Sequence, residues 1–299
     1  MNAYHIPVLL KESVEGLHIS AEGIYVDATF GGGGHSVEIL KNMDSGKLFA
    51  FDQDEDAVRN LPEDERFFFI LGNFRFLKNY LNYYGVKGID GLIADLGVSS
   101  HHLNTPERGF TYRSEAALDM RMNQQGSLTA EKIINDYEIN RLADLFKEYG
   151  ELSQARRIAA TIGQYRLNHR IVTTTQLVHC LESLIPKQAE NQFLSKVFQA
   201  IRIEVNRELE SLQDMLFSAT EMLKPGGRLV IISYHSLEDR MVKNFIRWGN
   251  SSEQPVKDIY GHSNEPFRLI TRKPLMAGES EVTTNPRARS ARLRIAEKK

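Results

Sequence analysis

The stretch Tyr25-Val26-Asp27-Ala28-Thr29-Phe30-Gly31-Gly32-Gly33-Gly34-His35 decides how the rest of the chain is read. A β-prone run, Ile24 to Val26, meets an acid at Asp27 and breaks into glycines. Behind them Val37, Ile39, Leu40 and Met43 recur at helical spacing. The pattern predicts strand, tight turn, helix. Glycines at such a turn permit positive φ and let a ligand approach main-chain N–H groups, and the helix adds a positive N-terminal end. A nucleotide-like ligand suits this arrangement, although glycine-rich turns also serve as plain connections.

What the turn lacks narrows the ligand. No Lys follows the glycines, so a phosphate loop of the Gly-x-x-x-x-Gly-Lys-Ser/Thr type is excluded. A dinucleotide fingerprint counted from Gly31 and Gly33 puts Ser36 where Gly or Ala is required, which disfavours a nicotinamide dehydrogenase. Asp27, Thr29, Gly31 and Gly33 instead resemble the acid-x-Gly-x-Gly-x-Gly turn of S-adenosylmethionine-dependent methyltransferases, with Thr29 in place of the first Gly.

Working outward, Leu48 to Phe51 reads as a second buried strand ending at Asp52. An acid about 20 residues beyond the glycines is where a βαβ nucleotide unit holds ribose hydroxyls. Asp54 and Asp56 read as acids at a helix start. Phe67 to Leu71 is a third strand, and Phe74 after it suits either an adenine face or the core. Ile89 to Asp95 is a fourth, again ending in an acid. Strands separated by helical segments, with polar groups at their carboxyl ends, indicate a doubly wound sheet with its ligand at those ends. Upstream, His5 to Leu17 predicts a helix closing near Gly16.

Gly97 to Ser127 is polar and aperiodic, and a loop of that length is expected to act as a lid or binding segment. His101 and His102 have no partner at ligand spacing, so no metal is expected. Three apolar stripes then predict helices: Leu142 to Tyr149, Ala155 to Ile162, and Leu177 to Leu184. One long helix is predicted from about Asn191 to Leu223, followed by a turn at Pro225-Gly226-Gly227 and a fifth strand, Arg228 to Ser233. Phe267 to Arg272 and Ala291 to Ala296 alternate apolar and basic residues, as an antiparallel edge with one wet face does. The helices between about Thr111 and Gln199 are therefore an insertion within an α/β domain.

Composition agrees with a soluble globular protein: 299 residues, 41% hydrophobic, 25% charged. A formal charge of −2 excludes a strong overall field for nucleic acid, so any such contact needs a local patch. Arg268 to Lys299 offers one, with nine Lys or Arg against three Glu. The single cysteine, Cys180, rules out a disulfide framework. Charges at Lys11, Glu12 and Glu15 interrupt any signal-like run, and no stretch of about 18 apolar residues occurs, so no membrane contact and a cytoplasmic location are expected.

Several blocks together carry a more specific resemblance. They are His5-Ile6-Pro7-Val8-Leu9-Leu10, Asp27 to His35, Asp95-Leu96-Gly97-Val98-Ser99-Ser100, Arg108-Gly109-Phe110, Leu118-Asp119-Met120-Arg121-Met122, Phe198 to Arg202, Ser233 to Arg240 and Asn285 to Ser290. Over nearly the whole chain they resemble the bacterial 16S rRNA cytosine-N4 methyltransferases of the RsmH (MraW) family. The resemblance implies a Rossmann-like class I methyltransferase sheet formed by residues 1–110 and 200–299. It also implies an inserted all-helical substrate-recognition domain at 111–199. S-adenosyl-L-methionine would be the methyl donor and 16S rRNA within the small ribosomal subunit the partner; monomer and homodimer both stay open. Family cofactor positions carry over to Gly33, Gly34, His35, Asp52, Phe74, Asp95 and His102. Ala116 and Ala117 depart from a commoner Gly-Pro or Ala-Pro, and Tyr234 stands where Phe is more usual.

Many amino-methyltransferases hold the target amine with an Asp/Asn/Ser-Pro-Pro-Tyr/Phe motif at the fourth strand tip, and Asp95-Leu96-Gly97-Val98 has neither prolines nor an aromatic. Asp95, Ser99, Ser233 and His235 are the candidate catalytic groups, with His235 able to relay a proton near neutral pH. RNA contact is expected from the insertion, the Arg108–Arg121 loop and the basic tail. A catalytically silent RNA-binding protein on the same fold is the remaining alternative, opposed by the intact acids at three strand tips.

Overall fold

The computed structural model describes residues 7–251, 254 and 265–299, so His5 and Ile6 of the N-terminal block lie outside the described residues. The chain divides into two compact units, Met1–Gly97 with Leu209–Lys299, and Val98–Glu208.

The first unit is a seven-stranded sheet of order β3-β2-β1-β4-β5-β7-β6. Its strands are β1 (Ile24–Asp27), β2 (Lys47–Asp52), β3 (Phe67–Leu71), β4 (Ile89–Asp95), β5 (Leu223–Ser233), β6 (Phe267–Leu269) and β7 (Arg292–Lys298). β1 to β5 run parallel, while β7 is antiparallel to both β5 and β6. Neighbouring residues on each strand serve opposite faces. Val26, Phe49, Leu92, Ala94, Leu229 and Ile231 enter one buried cluster with Leu77, Leu81, Met215, Phe245 and Ile246. Tyr25, Leu48, Ile93, Val230 and Ile232 enter another with Leu17, Ile39 and Leu40. Both faces are covered, which is why the strands read as unbroken apolar runs rather than alternations. The helices responsible are α1 (Leu10–Leu17) and α2 (Gly34–Lys41) on one side, and α3 (Leu77–Tyr83) on the other, joined there by two helices after the second unit. The fold is α/β and Rossmann-like, with the strand order reversing between β1 and β4, where open α/β sheets bind ligands.

The second unit is helical: α4 (Ser100–Asn104), α5 (Ala130–Asp136), α6 (Ile139–Glu148), α7 (Ala155–Tyr165), α8 (Thr174–Leu181) and α9 (Glu190–Asn206). Its core draws Ile133, Leu142, Phe146, Ile158, Leu177 and Val197 from these helices. Phe110, Leu118, Met120 and Met122 of the polar segment join the same core, so that segment is not an open lid. Arg121 folds onto Asp119 through paired bonds of 2.8 and 2.6 Å and reaches the Gln124 and Gly126 carbonyls at 2.7 Å. Arg108 donates to the Arg121 and Met122 carbonyls. Gly109, at φ 72°, faces the Ala117 carbonyl so closely that a Cβ could not fit. Arginines in this segment thus serve to satisfy its backbone carbonyls, a job that leaves no apolar period for a sequence reading to find.

The long helix expected from Asn191 to Leu223 is two helices. α9 ends where Arg207 adopts the left-handed conformation (φ 49°, ψ 45°), and α10 runs Glu208–Met222. Asn206 is held at this break by accepting from the Met122 N–H and donating to the Met120 carbonyl, each at 2.8 Å. Arg202 grips Glu208 with two 2.9 Å bonds across it.

α11 (Ser236–Trp248) and α12 (Glu279–Thr284) complete the first unit. Asp239 on α11 receives Arg294 at 2.7 and 3.1 Å and Arg292 at 3.1 Å, both from β7. Arg294 is buried, so this part of the basic tail ties a helix to the sheet rather than forming an open cationic surface. Arg268 likewise pairs with Glu297, and Lys299 with Glu265. Among the described residues, no helix is long and apolar enough to cross a membrane.

Candidate active site

The carboxyl ends of β1, β2 and β4 carry Asp27, Asp52 and Asp95, and each acid is fixed in a different way. Asp27 is buried; it accepts from the Thr29 N–H at 3.0 Å and from the Ser36 hydroxyl at 2.7 Å. Burial nevertheless pushes its carboxyl up to about 6. Asp52 accepts from the Gly31 N–H and the Asp54 N–H, both at 2.8 Å, which couples the glycine turn to the tip of β2. Asp54 is in turn the N-cap of a 3₁₀ turn, Glu55–Asn60, accepting from the Asp56 N–H.

In the glycine turn, Gly33 has φ 77°, and a Cβ there would lie 2.9 Å from the Phe30 ring, so only glycine fits without displacement. Gly34 opens α2 and packs on Pro7. The His35 ring is buried and bonds the Val8 carbonyl at 3.2 Å; burial lowers its pKa to about 4, so it is neutral. Any role of His35 toward a ligand therefore belongs to its main chain. Phe74 is half-buried against the cluster of Phe49 and Leu77, in the 3₁₀ turn after β3. Asn73 beside it donates to the Gln53 side-chain oxygen at 3.0 Å.

Asp95 is the most constrained. Its N–H donates to the Thr29 hydroxyl at 2.6 Å, and its Oδ1 accepts from the Tyr234 hydroxyl at 2.7 Å. Burial, followed by the negative charges of Asp27 and Glu238, drives its carboxyl up to about 7 despite the Tyr234 bond. The role of Thr29, which breaks the glycine motif, becomes visible here: its side chain clamps β1 to β4. Tyr234 had no assigned role from sequence; the only signal was its departure from Phe.

The other candidates have local partners. Ser233 is buried and donates to the Arg292 carbonyl on β7 at 3.4 Å. His235 is the N-cap of α11: its Nδ1 accepts from the Glu238 N–H, while Glu238 accepts from the Tyr234 and His235 N–H groups. In the helical unit, Ser99 and His102 form a reciprocal cap on α4, at 3.2 and 3.3 Å, and the His102 ring stacks on Phe110 at 4.7 Å. The structure thus brings Gly33, Gly34, Asp52 and Asp95 together at the strand ends of one unit, and places Ser99 and His102 in the other.

Burial raises both Asp27 and Asp95, and Asp27 and Glu238 add like charge beside Asp95, so a cationic ligand would supply the counter-charge that favours their ionised forms. A sulfonium nucleoside with ribose hydroxyls that donate to Asp52 meets that description. The sequence profile described as the MraW methylase family matches residues 2–299. The chain belongs to the MraW methylase family. It is a methyltransferase, and S-adenosylmethionine is its methyl donor. A protein of Phocaeicola vulgatus named ribosomal RNA small subunit methyltransferase H is 54% identical over 297 residues, covering 99% of this chain and 98% of that one. A protein of the same name from Porphyromonas gingivalis is 53% identical over 304 residues, covering 99% and 97%. A solved structure titled as a putative rRNA-methylase from Clostridium thermocellum aligns over 99% of this chain and all of its own at TM-score 0.46 and 13% identity, too distant to add to the family match.

Proposed function

We propose that this methylase transfers a methyl group to the N4 amine of a decoding-region cytidine in 16S rRNA of the small ribosomal subunit. The observation that carries the site assignment is Asp95, an acid at the β4 tip fixed by Thr29 and Tyr234 beside a second raised carboxyl, Asp27.

Gly34 and His35 would offer main-chain N–H groups at the start of α2, while Gly33 sets the turn, its own N–H donating to the Phe30 carbonyl at 2.8 Å; Asp52 would accept from ribose hydroxyls and Phe74 would face the adenine. S-adenosylmethionine, when bound, supplies an electrophilic methyl on a sulfonium. The cytosine amine is a weak nucleophile because its lone pair is delocalised into the ring. Asp95, ionised, accepts a hydrogen bond from an amine N–H, which localises that pair and takes up the charge developing on nitrogen. With the methyl group transferred to nitrogen, the Asp95 carboxylate would take the amine proton. Alignment supplies the remainder, since in-line displacement depends chiefly on a near-attack geometry. Ser233 and His235 support this site through the β7 carbonyl and the α11 cap. Ser99 and His102 remain assigned on the family pattern, and residues 98–208 are assigned to choosing the RNA.

The test is methyl transfer from labelled S-adenosylmethionine to 30S subunits lacking their own decoding-region methylation, read by nucleoside mass spectrometry. Label in N4-methylated cytidine is the expected result. Label in another nucleoside, or none despite cofactor binding, overturns the assignment.

A further inference from the structure

Tyr234 is the side chain at this site that the family pattern does not account for. It follows β5 directly, and its ring packs into the apolar cluster of Ile93, Ile232 and Leu293. Its N–H donates to Glu238 at 2.9 Å, so backbone and ring are both anchored before the hydroxyl reaches Asp95 at 2.7 Å. Asp95 Oδ2 carries no hydrogen bond among the described residues.

We propose that the Tyr234 hydroxyl is a positioning group: by donating to Oδ1 it fixes the Asp95 carboxylate and leaves Oδ2 as the oxygen that accepts from the reactant. This rests on Asp95 being the acceptor. A hydrogen bond to the charged form favours that form, so the hydroxyl also opposes the protonation that burial promotes.

The surrounding charges sharpen the point. Asp27 on β1 and Glu238 on α11 both act on Asp95 with like charge. Glu281 on α12 adds a further negative charge near Tyr234, and Arg287, in the 3₁₀ turn before β7, a positive one. Tyr234 itself is pushed far above an ordinary phenol by burial and by Asp95, so it stays a donor throughout the working pH range. The one side-chain donor to Asp95 among the described residues is thus this hydroxyl. With Phe at 234 the Asp95 carboxylate would face Asp27 and Glu238 without it.

The test uses Tyr234→Phe, which keeps the ring in its cluster. In protein without cofactor, the Asp95 carboxyl is followed by ¹³C NMR against pH, with Asp95→Asn identifying the resonance. The expected result is a midpoint raised by about one pH unit relative to the unaltered chain. In the methyl-transfer assay the acid limb of kcat moves with it. The loss is about tenfold at a pH below both midpoints, and the plateau is restored within about twofold at high pH. A midpoint unchanged within about 0.2 unit, or a loss of kcat equal at every pH, overturns the proposal. A displaced midpoint in a protein that transfers no methyl group would uphold it and refute the assigned reaction.

Discussion

Replacing Asp95 by Asn separates what this residue does for the reaction from what it does to the fold. Asn keeps the shape and still accepts from the Tyr234 hydroxyl, yet carries no charge. The folded carboxyl sits at about 7 against an ordinary value of 3.8. A carboxyl raised on folding contributes stability that is complete below about 4 and is lost as pH rises through 7. At pH 8 the unaltered protein therefore bears the full penalty and Asp95→Asn bears none. At complete burial the penalty is about 4 kcal/mol; Asp95 is half-buried, and solvent screening reduces it to about 2 kcal/mol. For 299 residues that corresponds to a rise in Tm of about 3 °C. Thermal melts between pH 5 and pH 8 without cofactor should show the variant gaining on the parent as pH rises, while methyl transfer falls by at least about 100-fold. A variant less stable than the parent at pH 8, or one whose advantage does not grow with pH, would refute the account of Asp95 as a charge held against the fold.

Thr29→Val removes the acceptor for the Asp95 N–H and should cost about 1–3 kcal/mol, read by urea unfolding, with a fall in kcat larger than any rise in KM. Arg294→Ala leaves Asp239 short of its buried partner and should cost about 3–5 kcal/mol, whereas Arg292→Ala, at the more exposed partner, should cost under about 1 kcal/mol; equal losses would contradict the burial difference. Arg207→Gly relieves a left-handed residue between α9 and α10 and should stabilise by about 1 kcal/mol, measured by chemical denaturation.

The parallel strands were legible because burial on both faces writes them as short apolar runs, and because Asp27, Asp52 and Asp95 each punctuate a carboxyl end. The site's acids were legible for the same reason. Their partners were not. Thr29 reads as a defect in a glycine motif until it is seen to bond a residue 66 positions away. Tyr234 reads as a conservative swap until its hydroxyl is found on Asp95. Arg294 reads as part of a basic patch because its neutralising Asp239 lies 55 residues upstream. The break at Arg207 carries no Gly or Pro, since the helix ends through a side-chain arrangement at Asn206 that periodicity does not record. Likewise Leu118 to Met122 looks like loop because its apolar residues enter a core without regular spacing.

The sheet order also dictates a schedule for synthesis. β4 has its sequence complete by Asp95, yet its neighbour β5 begins at Leu223, and β7, an interior strand, ends at Lys298. A nascent chain therefore carries β1 to β4 with one flank unpaired while residues 98–208 are made. The helical unit, with its own core, can fold during that interval. Because β7 lies between β5 and β6, a chain truncated before Arg292 would leave the β5 flank open to pairing with another chain. Loss of β7 is therefore the lesion expected to promote association between chains, because it exposes an interior edge of the sheet.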